Sequence, residues 1–373
     1  MQSRKKLLFF LFIISQSFFP QQLWAGSGTP FKQIVFFGDS LTDNGNLYWY
    51  DWGVLPKSPP YFHGRFSNGI VWSELVSQYY HDKNATPSVN FAFGGETVLY
   101  HGPMSGYLPY NLNWSLKSYL VRTAWQDRTN ALYIIWIGAN DYLPGKIELD
   151  KVTTDVVKTI KGVVESLINR GGKNFIIINL PNLAKTPYGK SSPIAETLQW
   201  VSMLHNLKLD LAVAEIEAGY KHVNIQLFSI NKLFDNILKH TDAVNKKYHT
   251  QINNIHEACW QGPYSFRDQQ DDSKLLEQEL YQHFKVHYKL NKMNEVNSKI
   301  SNKFNAQSLA HFVATSPALL EAYRVAEDAE NITPCTNPHE YLFWDQVHVT
   351  SQVHKMLALH AIEFIENHFN QAQ

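Results

Sequence analysis

The sequence predicts an α/β fold in which a mainly parallel sheet is covered by helices on both faces. Three observations lead there: short apolar runs ending on turn-forming residues, long stretches of helical periodicity between them, and a hydrophobic fraction of 44% in 373 residues. Strands that alternate with helices are joined by crossovers, and crossovers bury a parallel sheet on both sides. A domain of about 300 residues buries roughly 75% of its extended-chain surface, so a single domain can hold this core.

Gln33-Ile34-Val35-Phe36-Phe37 is the first run; it stops at Gly38 and delivers Ser40 just past its C-terminal end. Ala131 to Ile137 is the second, leading into Gly138 and Asn140. Asn174 to Leu180, stopped by Pro181, is the third, and Val223 to Phe228 the fourth. Between them, Leu149 to Asn169 and Ala195 to Gly219 have helical spacing, the latter ending on a glycine suited to a C-cap. A region of different composition, about 263–334, contains the polar run Arg267 to Glu279 and the asparagine-scattered stretch Asn291 to Asn305. It reads as an insertion in one domain, 26–373. Two roles are open to it: a solvated elaboration, or a lid or protease-sensitive loop.

The N-terminus reads as a signal peptide, residues 1–25. Arg4, Lys5 and Lys6 precede the apolar stretch Leu7 to Phe19, and the small residues Ala25-Gly26-Ser27-Gly28 mark a cleavage point. The stretch falls short of the ~20 residues that span a bilayer, so cleavage and a secreted or periplasmic protein without a transmembrane span are expected; an uncleaved anchor is the other reading. In an oxidising compartment Cys259 and Cys335 are expected to pair; two buried thiols are the other reading. Equal numbers of basic and acidic residues, 33 each, argue against nucleic acid as a partner.

Four short segments carry the residue types that serine ester chemistry needs: a nucleophile, a base, an orienter of the base and donors for an oxyanion. They are Gly38-Asp39-Ser40-Leu41, Asn90 to Gly95, Gly138-Ala139-Asn140-Asp141 and Asp345-Gln346-Val347-His348. Ser40, the candidate nucleophile, lies at a strand end, where open α/β sheets bind ligands. Gly-Asp-Ser alone is also an ordinary turn. Thr42 breaks the Gly-x-Ser-x-Gly elbow of the α/β-hydrolases. His348 is the candidate base and Asp345 its orienter, since one turn brings a carboxylate to the imidazole and fixes its tautomer. Asp-x-x-His is also half of a metal site, but no partner ligands with zinc spacing accompany it. No metal or cofactor is expected. Gly95 and Asn140, with the Ser40 N–H, are candidate oxyanion donors. Alone, Gly94-Gly95 reads as a turn and Asn140-Asp141 as a helix cap. Their occurrence after apolar runs, together with Ser40 and His348, favours the site.

Phe37-Gly38-Asp39-Ser40-Leu41-Thr42-Asp43-Asn44-Gly45-Asn46 resembles the first block of the GDSL lipases, within the SGNH hydrolase superfamily. Gly64-Arg65-Phe66-Ser67-Asn68-Gly69, with Trp72 and Glu74 behind, resembles a further stretch common there. Asn90 to Gly95, Gly138 to Asp141 and Tyr341 to His348 match the remaining blocks. The resemblance spans residues 33 to about 360, apart from the insertion. It implies a three-layer α/β/α, flavodoxin-like fold with the insertion before the last catalytic block. It also gives Ser40, Gly95, Asn140 and His348 the four name-giving roles, with Asp345 completing the triad. Val349 departs from the pattern, which usually has proline after the histidine.

Cys335, just before the last block, also resembles the secreted bacterial phospholipase A and glycerophospholipid–cholesterol acyltransferase branch. With export, this points to a lysophospholipid or phospholipid ester as substrate at a membrane surface. The acyl-Ser40 intermediate would pass to water or to cholesterol, and a protease acting on 263–334 would be an activating partner. Tyr48, Trp49, Tyr50 and Trp52 are either core or an apolar rim for the acyl chain. Rival readings are a short-chain esterase or lipase, a carbohydrate-ester deacetylase, and an inactive lipid-binding protein.

Overall fold

The computed structural model describes residues 31–50, 53, 55–56, 58–100, 110–143, 148–261 and 333–369, with isolated residues between 277 and 314. The expected signal peptide, Trp52 and most of the 263–334 insertion lie outside these residues.

Five strands form one sheet: β1 Gln33–Gly38, β2 Ser88–Asn90, β3 Ala131–Trp136, β4 Asn174–Ile178 and β5 Asn224–Phe228. Their spatial order is β2-β1-β3-β4-β5 and every pairing is parallel. In β1 every residue from Ile34 is buried, and in β3 all six are. A strand covered on both faces has no polar side to show, which is why both read as unbroken apolar runs. The edge strand β2 is only three half-buried residues, Ser88-Val89-Asn90, so no apolar run announces it.

Nine helices accompany the sheet: α1 Asn46–Tyr50, α2 Trp72–Asn84, α3 Leu112–Arg122, α4 Leu149–Ile168, α5 Pro187–Ser191, α6 Ala195–Gly219, α7 Ile230–Lys239, α8 Thr241–Tyr248 and α9 Ser351–Phe369, counted among the described residues. The chain leaves β1 toward β2 in one direction and then runs β3, β4, β5 in the other. Right-handed crossovers therefore put α2 on one face and α3, α4 and α6 on the opposite one. The packing agrees: α2 lies against α9, and α4 against α3 and α6. In α4 the buried positions are Thr153, Val156, Val157, Ile160, Val163, Val164, Leu167 and Ile168, the spacing of a single helical face.

The direction of the chain reverses between β1 and β3. That is the topological switch point, and the crevice beyond the carboxyl ends of these two strands is where such sheets bind ligands. Ser40 and Asn140 follow β1 and β3 into it. A second, small parallel ladder joins β6 Asn254–Ala258 to β7 Tyr341–Phe343. Cys259 and Cys335 are bonded beside it, with Cα atoms 5.0 Å apart across a separation of 76 residues. No described helix is long and apolar enough to cross a membrane.

Candidate active site

His348 sits on the returning arm of a tight loop. Trp344 N–H donates to His348 O (2.8 Å), and Thr350 N–H to Leu342 O (3.1 Å). The loop aims the ring at Ser40. His348 Nε2 is 2.8 Å from Ser40 Oγ, and its Nδ1 is 2.7 Å from Asp345 Oδ2. Asp345 Oδ1 accepts the backbone N–H groups of Val347 (2.8 Å) and His348 (2.6 Å), which closes the turn on itself. All three side chains are buried. Burial pushes the Asp345 carboxyl up, but the His348 ring and the hydrogen bonds from His348 and Tyr61 hold it below its ordinary value.

A segment far away in sequence holds this loop in place. Tyr61 OH donates to Asp345 Oδ2 (2.7 Å), and the Phe66 ring lies 5.0 Å from the His348 ring. Ser67 Oγ donates to Val349 O (2.9 Å), and Asn68 Oδ1 accepts the N–H of Ser351 at the start of α9 (2.8 Å). Arg65 spans Glu74 with Nε and Nη2, and Glu74 in turn accepts Val71 N–H at the start of α2. The sequence flagged Gly64 to Gly69 by resemblance alone. Residue-type reasoning missed Tyr61 and Phe66, because a lone tyrosine and phenylalanine read as core.

The oxyanion candidates lie on two glycine-bearing turns. Gly138 has φ +129°, and an added Cβ would stand 3.0 Å from His205 Cε1, so only glycine fits there. The turn after it is a single 3₁₀ turn, Ala139–Asp141, not the cap of a long helix. Asn140 Nδ2 donates to Glu96 O (3.0 Å), which leaves its second amide hydrogen for another acceptor. Asp141 is occupied with the N–H groups of Val98 (2.8 Å) and Leu99 (2.9 Å). Gly95 has φ +74°. Among the described residues neither Ser40 N–H nor Gly95 N–H has an acceptor, though both residues are buried. Buried N–H groups are seldom left unpaired, so two of them beside a serine are what an oxyanion would satisfy.

Asp43 ties the serine turn to the Gly94-Gly95 turn. Its Oδ1 accepts Gly45 N–H (2.8 Å) and Asn46 N–H (2.5 Å); its Oδ2 accepts Leu47 N–H (3.2 Å) and Gly94 N–H (2.7 Å). Burial nonetheless pushes its pKa up to about 6, with those four donors opposing. Asp39, behind Ser40, is likewise pushed up to about 6 by burial, against the Leu41 N–H and the His348 charge. Glu96 is raised well above its ordinary value by burial, and the nearby Asp39 and Asp43 charges add to this. Beneath the Asn140 turn, burial depresses His205 to about 3, and its Nδ1 is 2.7 Å from Tyr142 OH.

A cleft opens from the serine. Ser40, Asn140 and His348 line it, and so do apolar residues from the connection after β4 (Leu180, Pro181, Leu183), from α7 (Phe234, Leu238) and from the His348 loop (Val347, Val349). The space, counting solvent at its mouth, is about 860 Å³. Of the aromatics expected as an acyl rim, Tyr48, Trp49 and Tyr50 are not among the described residues that line it. Tyr50 packs on Phe93 and Tyr110 at 5.6 and 5.1 Å, Tyr48 lies against Gly64, and Trp49 is 83% exposed. Of the apolar residues that do line it, Leu183, Phe234 and Leu238 come from segments the sequence left unassigned. Among the described residues no cluster of ligating side chains suits a metal.

A model of the GDSL-like lipase/acylhydrolase family matches residues 34–361. The chain belongs to this family. Over 353 residues, 92% of this chain and 93% of the relative, it is 30% identical to a phosphatidylcholine-sterol acyltransferase of Aeromonas hydrophila. It is 32% identical over 223 residues to the secreted effector protein SseJ of Salmonella typhimurium, a match covering 59% of this chain and 51% of that one. Among solved structures, Est24, a carbohydrate acetylesterase from Sinorhizobium meliloti, overlaps 54% of this chain and 84% of its own, at 18% identity and a TM-score of 0.35. The family is one of lipases and acylhydrolases, and the five parallel strands agree with the α/β fold expected from the sequence.

Proposed function

We propose that this GDSL acylhydrolase is exported and cleaves fatty-acyl esters of lysophospholipids and phospholipids through an acyl-Ser40 intermediate. The observation that carries the proposal is the buried chain Ser40 Oγ–His348 Nε2 (2.8 Å) and His348 Nδ1–Asp345 Oδ2 (2.7 Å), opening onto an apolar cleft. Ser40 Oγ attacks the ester carbonyl as His348 Nε2 takes its proton, and Asp345 stabilises the imidazolium that forms. The Ser40 N–H, the Gly95 N–H and Asn140 Nδ2 receive the developing oxyanion. The C–O bond to the alcohol then breaks, and His348 returns the proton to the leaving oxygen. Water, activated by the same imidazole, attacks the acyl-enzyme and frees the fatty acid; a sterol hydroxyl entering instead yields a sterol ester.

The lipid substrate and the cholesterol acceptor are supported by the name of the Aeromonas relative, which aligns over nearly the whole chain. Export is supported by the Cys259–Cys335 bond and by the secreted Salmonella relative. We further read 26–373 as one domain carrying the 263–334 segment as an insertion open to proteolytic activation. The test is fatty-acid release from lysophosphatidylcholine by the purified protein and by Ser40→Ala, with and without cholesterol. Release that vanishes in the variant is expected, with cholesterol ester formed when the acceptor is present. Serine-dependent cleavage of short p-nitrophenyl esters without lysolipid cleavage would discard the lipid substrate and keep the site.

A further inference from the structure

The polar groups of the cleft are few and uneven. Of the described residues lining it, Lys185 is the only lysine or arginine. It is exposed, and its ammonium has no hydrogen bond or ion pair among the described residues. Asp235, an acidic residue that also lines the cleft, is already matched by Lys239 at 3.6 Å. Asp39 is enclosed behind the serine, where its carboxylate accepts Leu41 N–H (3.1 Å). The cleft thus offers one unmatched positive charge at its edge.

A second donor shares the same turn. Asn182 Oδ1 accepts Ala184 N–H (3.0 Å), which fixes the amide and leaves its NH₂ group without an acceptor among the described residues. Asn182 also lines the cleft. Asn182 caps the one-turn segment Leu183–Lys185 and Lys185 ends it, while the buried Leu183 between them lines the cleft. One short turn thus presents apolar surface inward and two free donors at the rim. A phospholipid needs this combination: an acyl chain that seeks dry surface and a phosphodiester oxygen that seeks an ammonium and an amide N–H.

We propose that Lys185, assisted by the Asn182 amide, binds the phosphodiester of a glycerophospholipid substrate and so sets the preference for phospholipid over neutral esters. The proposal rests on the serine acylhydrolase reading above. It makes Lys185 a specificity-determining residue, outside the bond-making steps.

The test uses the full chain and two substrates of equal acyl length, lauroyl-lysophosphatidylcholine and p-nitrophenyl laurate, each dilute in uncharged detergent micelles so that no surface charge competes. The ratio of their kcat/KM values is measured for the native protein, Lys185→Met, Lys185→Glu and the control Lys190→Met, whose lysine contacts His256 at 2.9 Å and does not line the cleft. The expected ratio falls about tenfold in Lys185→Met, falls further in Lys185→Glu, and shifts less than twofold in the control. Dodecylphosphocholine, a non-hydrolysable phosphodiester, should inhibit p-nitrophenyl laurate cleavage competitively, with an inhibition constant about tenfold weaker in Lys185→Met. An unmoved ratio and inhibition constant would overturn the proposal while the serine site stood. Cleavage of the p-nitrophenyl ester with none of the lysolipid would also overturn it. Native protein inactive on both would remove the acylhydrolase reading and this proposal together.

Discussion

Asp43→Asn separates the two jobs of a buried carboxylate. The substitution keeps shape and replaces one oxygen by an NH₂ group. Oδ1 has the shorter pair of donors, Gly45 and Asn46 at 2.8 and 2.5 Å, so the remaining oxygen should stay there. The NH₂ group then faces Leu47 N–H and Gly94 N–H, donors against donors. Two buried N–H groups left unsatisfied cost about 1–3 kcal/mol each, about 2–6 kcal/mol together.

An opposing term comes from charge. Asp43 titrates at about 6 in the fold against 3.8 when free. A folded pKa above the unfolded one means stability is highest below pH ~4 and falls as pH rises to 6. The loss is ~3 kcal/mol at ~1.4 kcal/mol per unit. Asparagine carries none of that loss. At pH 7.5 the variant should therefore range from about 1 kcal/mol more stable to about 3 kcal/mol less stable than the native protein.

Activity should suffer more. Releasing Gly94 N–H loosens the turn that presents Gly95 N–H, and one oxyanion donor is worth about 2.7–4 kcal/mol, so a partial loss of aim should lower kcat roughly tenfold to a hundredfold. The assay is kcat and KM for p-nitrophenyl butyrate at pH 7.5, beside urea unfolding of the same preparation. A folded variant with native kcat, or a kcat loss fully accounted for by unfolded protein, would refute the argument.

Asn140→Ala should lower kcat by about 10²–10³ with little change in KM, read from steady-state kinetics on the same ester. Reducing the Cys259–Cys335 bond, which closes a loop across 76 residues, should remove about 4.5 kcal/mol of stability on the chain-entropy scale, read as a drop in Tm with dithiothreitol. Because β7 runs directly into Asp345 and His348, activity should fall at temperatures below that of global unfolding. His205 titrates near 3 in the fold against 6.5 when free, so its contribution is complete above pH 6.5 and is lost as pH falls toward 3. In urea unfolding, the stability advantage of the native protein over His205→Gln should narrow by about 2 kcal/mol between pH 6.5 and pH 5.

The sheet was legible wherever burial on both faces left an unbroken apolar run, as in β1, β3 and β4. It was not legible at β2, where three half-buried edge residues give no period and no run. Ser40, Asn140, Asp345 and His348 could be named from short segments, because the turns that present them put informative residues side by side. Tyr61 could not: its partner Asp345 is 284 positions away, and nothing local distinguishes it from a core tyrosine. The acyl rim was sought at Tyr48 to Trp52 because aromatics clustered beside the nucleophile. The observed cleft is assembled from leucines after β4 and from α7, residues whose composition is that of any core and whose meeting with Ser40 is purely tertiary.

The disulfide also fixes the two ends of the chain between Cys259 and Cys335. They enter and leave through a clamp 5.0 Å wide, and Cys335 N–H donates to Cys259 O across it (2.8 Å). Whatever hangs from that clamp can be exchanged without moving the ladder that carries His348. Doubling its length costs only about 0.6 kcal/mol in closure entropy. A graft of a foreign segment between these cysteines should therefore leave the triad aligned, because the same bond and the same backbone contact would hold its two ends.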